Sequence, residues 1–187
     1  MAPLLVVLVI VILIAGYLAL AYNGLIGSRN QADEAYSDID VQMKRRYDLI
    51  PNLVESVKGY VKQEKDVLLG VTEARAAAIS AGATGSVEQR DRAENNLTGA
   101  LRSVFAVAEN YPDLKSSSNF QQLTSELTDT ENKIEAARRF YNATVRDYNT
   151  KLQVIPTSIF ARSMGFVKKD LFTLDNPEAR EAVKVSF

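Results

Sequence analysis

Residues Leu4–Ala21, LLVVLVIVILIAGYLALA, run for eighteen positions without a charge, and the first charge of either sign along the chain is Arg29. As a helix this stretch reaches about 27 Å, close to the hydrocarbon thickness of a bilayer. Inside lipid only a helix or a closed barrel satisfies its own backbone, and one segment cannot close a barrel. The expectation is one membrane-spanning helix followed by a water-soluble domain. A core helix of a soluble protein is disfavoured because every face is apolar. A secretory signal peptide is the main rival, since Ala19-Leu20-Ala21 fits a small-x-small cleavage site. No Lys or Arg precedes the run, however, and it exceeds the usual apolar core of a signal, so a retained anchor is favoured. Tyr17 and Tyr22 suit the lipid–water interface. Ala15 and Ala19 form a small-xxx-small pair, a weak hint that two anchors approach each other.

The remainder is long enough for one domain with its own core. A net charge of −1 provides no global field for nucleic acid. The chain has no Cys, His or Trp, which removes disulfides, thiolate metal sites, the common nucleophile–base pairs and most zinc sites. Carboxylates, Lys, Tyr and Ser/Thr are what remains for chemistry. The reading is therefore non-enzymatic, with no cofactor, metal, nucleic acid or small-molecule substrate expected. Basic residues lie only on the C-terminal side of the anchor, Arg29 first and then Lys44, Arg45 and Arg46. The positive-inside rule thus favours an outside N-terminus and a cytoplasmic domain, the rival being a domain on the external or periplasmic face.

Beyond the anchor, Ala32, Tyr36, Ile39, Met43, Tyr47 and Ile50 recur at spacings of 4, 3, 4, 4 and 3, a helical stripe into which the anchor can continue. Pro51 removes an amide donor and disfavours helical geometry at Ile50. Tyr47–Asn52 therefore reads as a turn, with a second helix from Pro51 to about Ser80; the competing reading is one long helix kinked at Pro51. The stretch 80–86, SAGATGS, reads as a loop, and Ser86 weakly caps a third helix to about Asn110. Tyr111-Pro112-Asp113 breaks that helix, and a fourth runs from Phe120 to about Leu152, ended by Ile155-Pro156. Four stripes with short breaks imply an all-α fold: a single transmembrane helix, then an antiparallel up-down four-helix bundle. The expected division is an anchor over 1–28, a bundle over 29–155 and a tail over 156–187.

An up-down path brings the tail back towards the bilayer. Phe160, Arg162, Phe166, Lys168 and Lys169, with Tyr17 and Tyr22, are then candidate membrane-interface residues. The alternative is that the tail's apolar side chains cap the open end of the bundle. Glu126, Asp129, Glu131 and Glu135 read as a solvated face. Phe140, Tyr141, Tyr148, Asn142 and Asn149 read as core aromatics and amides in local hydrogen bonds.

The most distinctive string is Lys44-Arg45-Arg46-Tyr47-Asp48-Leu49-Ile50-Pro51-Asn52-Leu53-Val54, followed by Glu55-Ser56-Val57-Lys58-Gly59-Tyr60. Together with Tyr22-Asn23, Arg138-Arg139-Phe140-Tyr141-Asn142 and Tyr148-Asn149, it strongly resembles the LemA family of bacterial membrane proteins, from the anchor to about Phe172. The resemblance implies an N-terminally anchored helical protein in the bacterial cell (inner) membrane and carries no biochemical activity with it. The physics of the motif stands apart. Lys44, Arg45 and Arg46 span one helical turn and fan over different faces, and at a helix end they complement the negative end of its dipole. Asp48 is placed to pair with one of them or to bond the amides of the next helix. A charged helix end before a Pro turn accounts for the string; a docking surface for an acidic partner is the functional reading. Lys44, Arg45, Arg46, Asp48 and Asn52 are the candidate docking residues, about 30 Å from the bilayer. The expected role is a membrane-anchored interaction or scaffold protein that self-associates and has other membrane proteins as possible partners. The alternative is membrane shaping or sensing through the tail.

Overall fold

The computed structural model describes residues 2–61 and 64–172. The last part of the expected tail, 173–187, lies outside the described residues. All regular structure among the described residues is helical. Helix α1, Ala2–Lys58, carries the apolar stretch at its start, where Leu4–Ile14 are all exposed, and continues without a break into the domain. Its buried positions from Leu25 onward are Ser28, Ala32, Ala35, Ile39, Met43, Arg46, Ile50, Leu53 and Val57, a period of three and four that passes through Pro51 without changing phase.

The expected Tyr47–Asn52 turn is absent; the helix runs on through Pro51 to Lys58, and the next helix begins only at Lys65. Magnitudes explain the outcome. An interior proline costs about 3 kcal/mol. Ile50, Leu53 and Val57 on either side of it are each almost fully buried, worth about 1.5–3 kcal/mol apiece. The carbonyl that Pro51 leaves without its helical donor, Tyr47 O, accepts a hydrogen bond from Arg75 Nε at 2.7 Å.

Helix α2, Lys65–Thr84, reverses along α1, and only Gly85 and Ser86 separate it from α3, Val87–Ala108. Gly85 is required there: a Cβ would lie 2.6 Å from Ala81 O, whose bond from the Gly85 amide closes α2. Ser86 opens α3 with a full capping box, its Oγ accepting from the Gln89 amide while Gln89 Oε1 accepts from the Ser86 amide. A single turn, α4 (Pro112–Lys115), precedes the long α5, Ser118–Lys151, and a last turn, α6, covers Thr157–Phe160. Helix α5 lies antiparallel along α1. Asn119 Nδ2 donates to Ser56 Oγ at one end (2.8 Å), and Lys151 Nζ donates to Ser28 Oγ at the other (2.6 Å).

Apolar packing divides along the rod. The end distal to the apolar stretch holds the larger core, where Ile50, Leu53, Val57, Val71, Leu97, Val104 and Leu114 meet Phe120 and Leu127. Nearer the apolar stretch, Ala32, Ala35, Ile39 and Met43 pack on Ile134, Tyr141 and Val145. Between these cores the interior is polar.

Candidate functional site

That polar interior is built on α3. Leu97, Leu101 and Val104 form its apolar stripe, and one or two turns earlier the same face presents Arg90, Asp91 and Glu94, all buried. Arg46 of α1 enters this layer. Its side chain is 1% exposed, as is that of Glu94, to which it donates from Nη2. Its Nη1 donates to Glu131 of α5 and to Thr98 Oγ1 at 3.1 Å, and the Thr98 hydroxyl in turn donates to Glu131 at 3.2 Å. The Tyr47 hydroxyl donates to the other Glu94 oxygen. Burial and the adjoining Glu94 carboxylate push the Tyr47 pKa well above that of a free phenol, so the hydroxyl stays a donor. Beside this group Arg90 donates to Tyr36 Oη at 2.8 Å, to Asp40 and to Met43 Sδ. Burial works against its charge, but the bonds to Tyr36 and Asp40 more than offset it and raise its pKa. Arg138 of α5 lies 3.1 Å from Asp91, and burial is the main reason its pKa is lowered. Three guanidiniums and four carboxylates thus tie α1, α3 and α5 together. A buried charge stripped of its partner costs about 3–5 kcal/mol, so the layer penalises any slip in helix register.

A second construction lies nearer the apolar stretch. After Gly165, which adopts φ +80°, the chain runs without helix or turn over 166–172 beside α1 and α5. Two Tyr-Asn pairs on α5, seven residues apart and so on one face, hold its backbone. Tyr148 Oη donates to Val167 O (3.0 Å) and Tyr141 Oη to Asp170 O (2.9 Å). Asn149 both donates to Lys169 O (2.9 Å) and accepts from the Lys169 amide (3.0 Å). Asn142 repeats the pairing with Phe172, at 2.8 and 3.0 Å. The Phe172 ring is buried, stacked 6.0 Å from Tyr36, edge-on 5.4 Å from Tyr141, and 5.1 Å below the Arg138 guanidinium. Tyr36 and Arg138 therefore belong to both the clamp and the polar layer. Burial raises the Tyr148 pKa and, with Tyr36 and Asp170 adding to it, pushes that of Tyr141 up to about 12.

Of the expected docking residues, Arg46 is turned inward and bonded through Nη1 and Nη2, because the helix continues past it and its face becomes core. Lys44, Arg45, Asp48 and Asn52 are exposed, and Lys44 and Asp48 form a pair of 2.8 Å on one helix face. Asn52 lines a groove of about 600 Å³ with Ser56, Asn119 and Gln122. Of the expected interface residues, Tyr17 meets Phe160 edge-on with centroids 6.4 Å apart. Phe166 is buried against Tyr22 (5.6 Å) with the Arg29 guanidinium over its ring. Lys169 Nζ reaches Asp33 at 2.5 Å, while Arg162 and Lys168 are exposed. Phe160 thus places the start of the described tail beside the apolar stretch. Glu131 leaves the solvated face expected for it, whereas Asp129 and Glu135 stay there in pairs with Lys133 and Arg139. Asn142 and Asn149 bond far along the chain rather than locally. Their signal was the Tyr-Asn repeat at a seven-residue interval.

Among the described residues no group of three or more Asp or Glu side chains is arranged to hold a metal. The family model described as LemA family matches residues 35–187. Protein LemA of Metamycoplasma hominis is 29% identical over 152 residues, 80% of this chain and 68% of that protein. Magnetosome protein MamQ of Magnetospirillum gryphiswaldense and magnetosome protein MamQ 2 of Paramagnetospirillum magneticum are each 23% identical, over 83% of this chain and 65% of theirs. The chain thus spans about two thirds of the length of these relatives.

Proposed function

This chain belongs to the LemA family, and on that premise we propose that it is a non-enzymatic, membrane-anchored scaffold that self-associates and offers a docking face to other proteins. The observation that carries the reading is α1 itself: one helix whose first part is apolar and exposed all round and whose second part is the spine of a helical domain. The likeness to LemA and MamQ supports a membrane-associated role. The helices close as an antiparallel four-helix bundle, a reading supported by the ion pairs from α3 to both α1 and α5. Arg29 and the exposed Lys44 and Arg45 support an outside N-terminus and a cytoplasmic domain at the bacterial inner membrane. The docking face is Lys44, Arg45, Asp48 and Asn52, without Arg46. Amine crosslinking of the full chain in intact membranes is expected to yield multimers and associated membrane proteins. A lone monomer at every crosslinker concentration refutes the scaffold.

The membrane-interface reading of the tail has its own support. Ile155, Ile159 and Val167 are 81%, 77% and 71% exposed, next to Arg162 and Lys168, on a segment that touches Tyr17 and Tyr22. Such a mixture suits a head-group layer. An Ile159→Cys variant carrying an environment-sensitive dye, reconstituted in anionic nanodiscs, is expected to be quenched by lipid-borne quenchers. No quenching rules this reading out.

A further inference from the structure

We propose that the tail, residues 157–172, exchanges between neighbouring copies, each tail seated in the Tyr-Asn clamp of the other; this rests on the self-association reading and supplies its mechanism. The clamp grips main chain. Six backbone atoms of the tail, on Val167, Lys169, Asp170 and Phe172, take the hydrogen bonds of Tyr141, Asn142, Tyr148 and Asn149. The side-chain anchor Phe172 belongs to every copy alike. Each contact made within one chain is therefore available unchanged between two, the condition under which exchange of an element costs little.

The joint between α5 and the tail is suited to it. Gln153, Val154, Ile155 and Pro156 are all exposed, and Ile155 is the most exposed large apolar residue on the described chain. Among the described residues nothing covers these apolar side chains, and a neighbour reached through them would. Once the turn bond from the Ser158 amide to Val154 O opens, four residues fully extended span about 13 Å, more than the roughly 10 Å diameter of a helix, so the tail can step onto an adjacent copy without α5 unwinding. Copies sharing one bilayer carry their clamps at one height and in one direction. Asp33 and Tyr36 of α1, which meet Lys169 and Phe172, stand only a few turns above the apolar stretch.

The chain has no cysteine, so introduced thiols are unique. Two differently tagged full-length copies are co-expressed, one with Asp33→Cys and the other with Lys169→Cys, and treated in membranes with a short bismaleimide. Both positions lie at the edge of the clamp and Asp33 is exposed, so folding is preserved. The expected result is a two-copy band bearing both tags. Pairing Lys169→Cys with Asp38→Cys, an exposed residue on a different face of α1, is expected to give none. Equal yields from the two pairings, or crosslinks confined to a single chain carrying both Asp33→Cys and Lys169→Cys, overturn exchange. Amine-linked multimers without the mixed thiol band refute exchange and leave self-association standing. If amine crosslinking gives no multimers either, both fall.

Discussion

Replacing Arg75 by Met keeps most of its stem and removes the donor that serves Tyr47 O. An acceptor left unsatisfied at a partly buried site costs about 1–3 kcal/mol, and because Tyr47 is half-buried the lower half of that range applies, about 1–2 kcal/mol. Pro51→Ala restores the amide that the carbonyl lost. In that background Arg75→Met should cost only about 0.5 kcal/mol, the value of an ordinary surface change. The double-mutant cycle therefore carries a coupling of about 1 kcal/mol, and Pro51→Ala alone is stabilising because the ring is exposed and the interior-proline penalty is lifted. The assay is urea unfolding of the full chain in detergent, followed by far-ultraviolet circular dichroism for all four variants. Hydrogen exchange supplies a second readout: the new amide at position 51 should be protected. Equal costs of Arg75→Met with and without Pro51 would refute the claim that this guanidinium stands in for the missing backbone donor.

Arg46→Met leaves Glu94 buried without its cation and is expected to cost about 3–5 kcal/mol, whereas Arg46→Met with Glu94→Leu should recover most of that; thermal unfolding of the two variants compares them. Gly165→Ala meets no side chain but must hold φ +80°, so about 1–2 kcal/mol is lost from the tail, read as faster proteolysis of 153–172 at unchanged helix content. Tyr141 bears on alkaline stability. Its proton is held more tightly folded than unfolded, so its contribution is complete below about pH 10 and disappears as pH rises through about 12. Tyrosinate absorbance should record this late titration in the native chain and show it reduced by one tyrosine in Tyr141→Phe, Tyr47 and Tyr148 also being raised. Asn142→Ala with Asn149→Ala removes four backbone bonds to the tail and should expose 166–172 to hydrogen exchange while α1 and α5 keep their protection.

The stripes of α1, α3 and α5 were legible as periodic apolar residues, and the helix boundaries after Ser86 follow from them within a few positions. At Pro51 the local preference for a break is outweighed by burial on either side of it. The stripe Met43, Arg46, Ile50, Leu53, Val57 crosses it in phase, which already argues for continuity. Arg46 was hidden by its type, since a charged residue inside a basic triplet reads as surface unless its partner is known. That partner, Glu94, sits one turn before Leu97 on the stripe of a helix distant in sequence, and no local pattern joins the two. The Tyr-Asn clamp left a visible mark, a dipeptide repeated at a helical interval, but its target was a non-helical segment with no periodicity of its own.

Because α1 passes from the apolar stretch to the distal tip as one piece, the apolar stretch and the far end of the domain are mechanically coupled. From Arg29 to Lys58 it forms an arm of about 45 Å. A tilt of the span by about 20°, ordinary for a helix in lipid, would swing the tip sideways by about 15 Å. On the membrane-anchored reading proposed above, a change in bilayer thickness would become a lateral displacement of the tip.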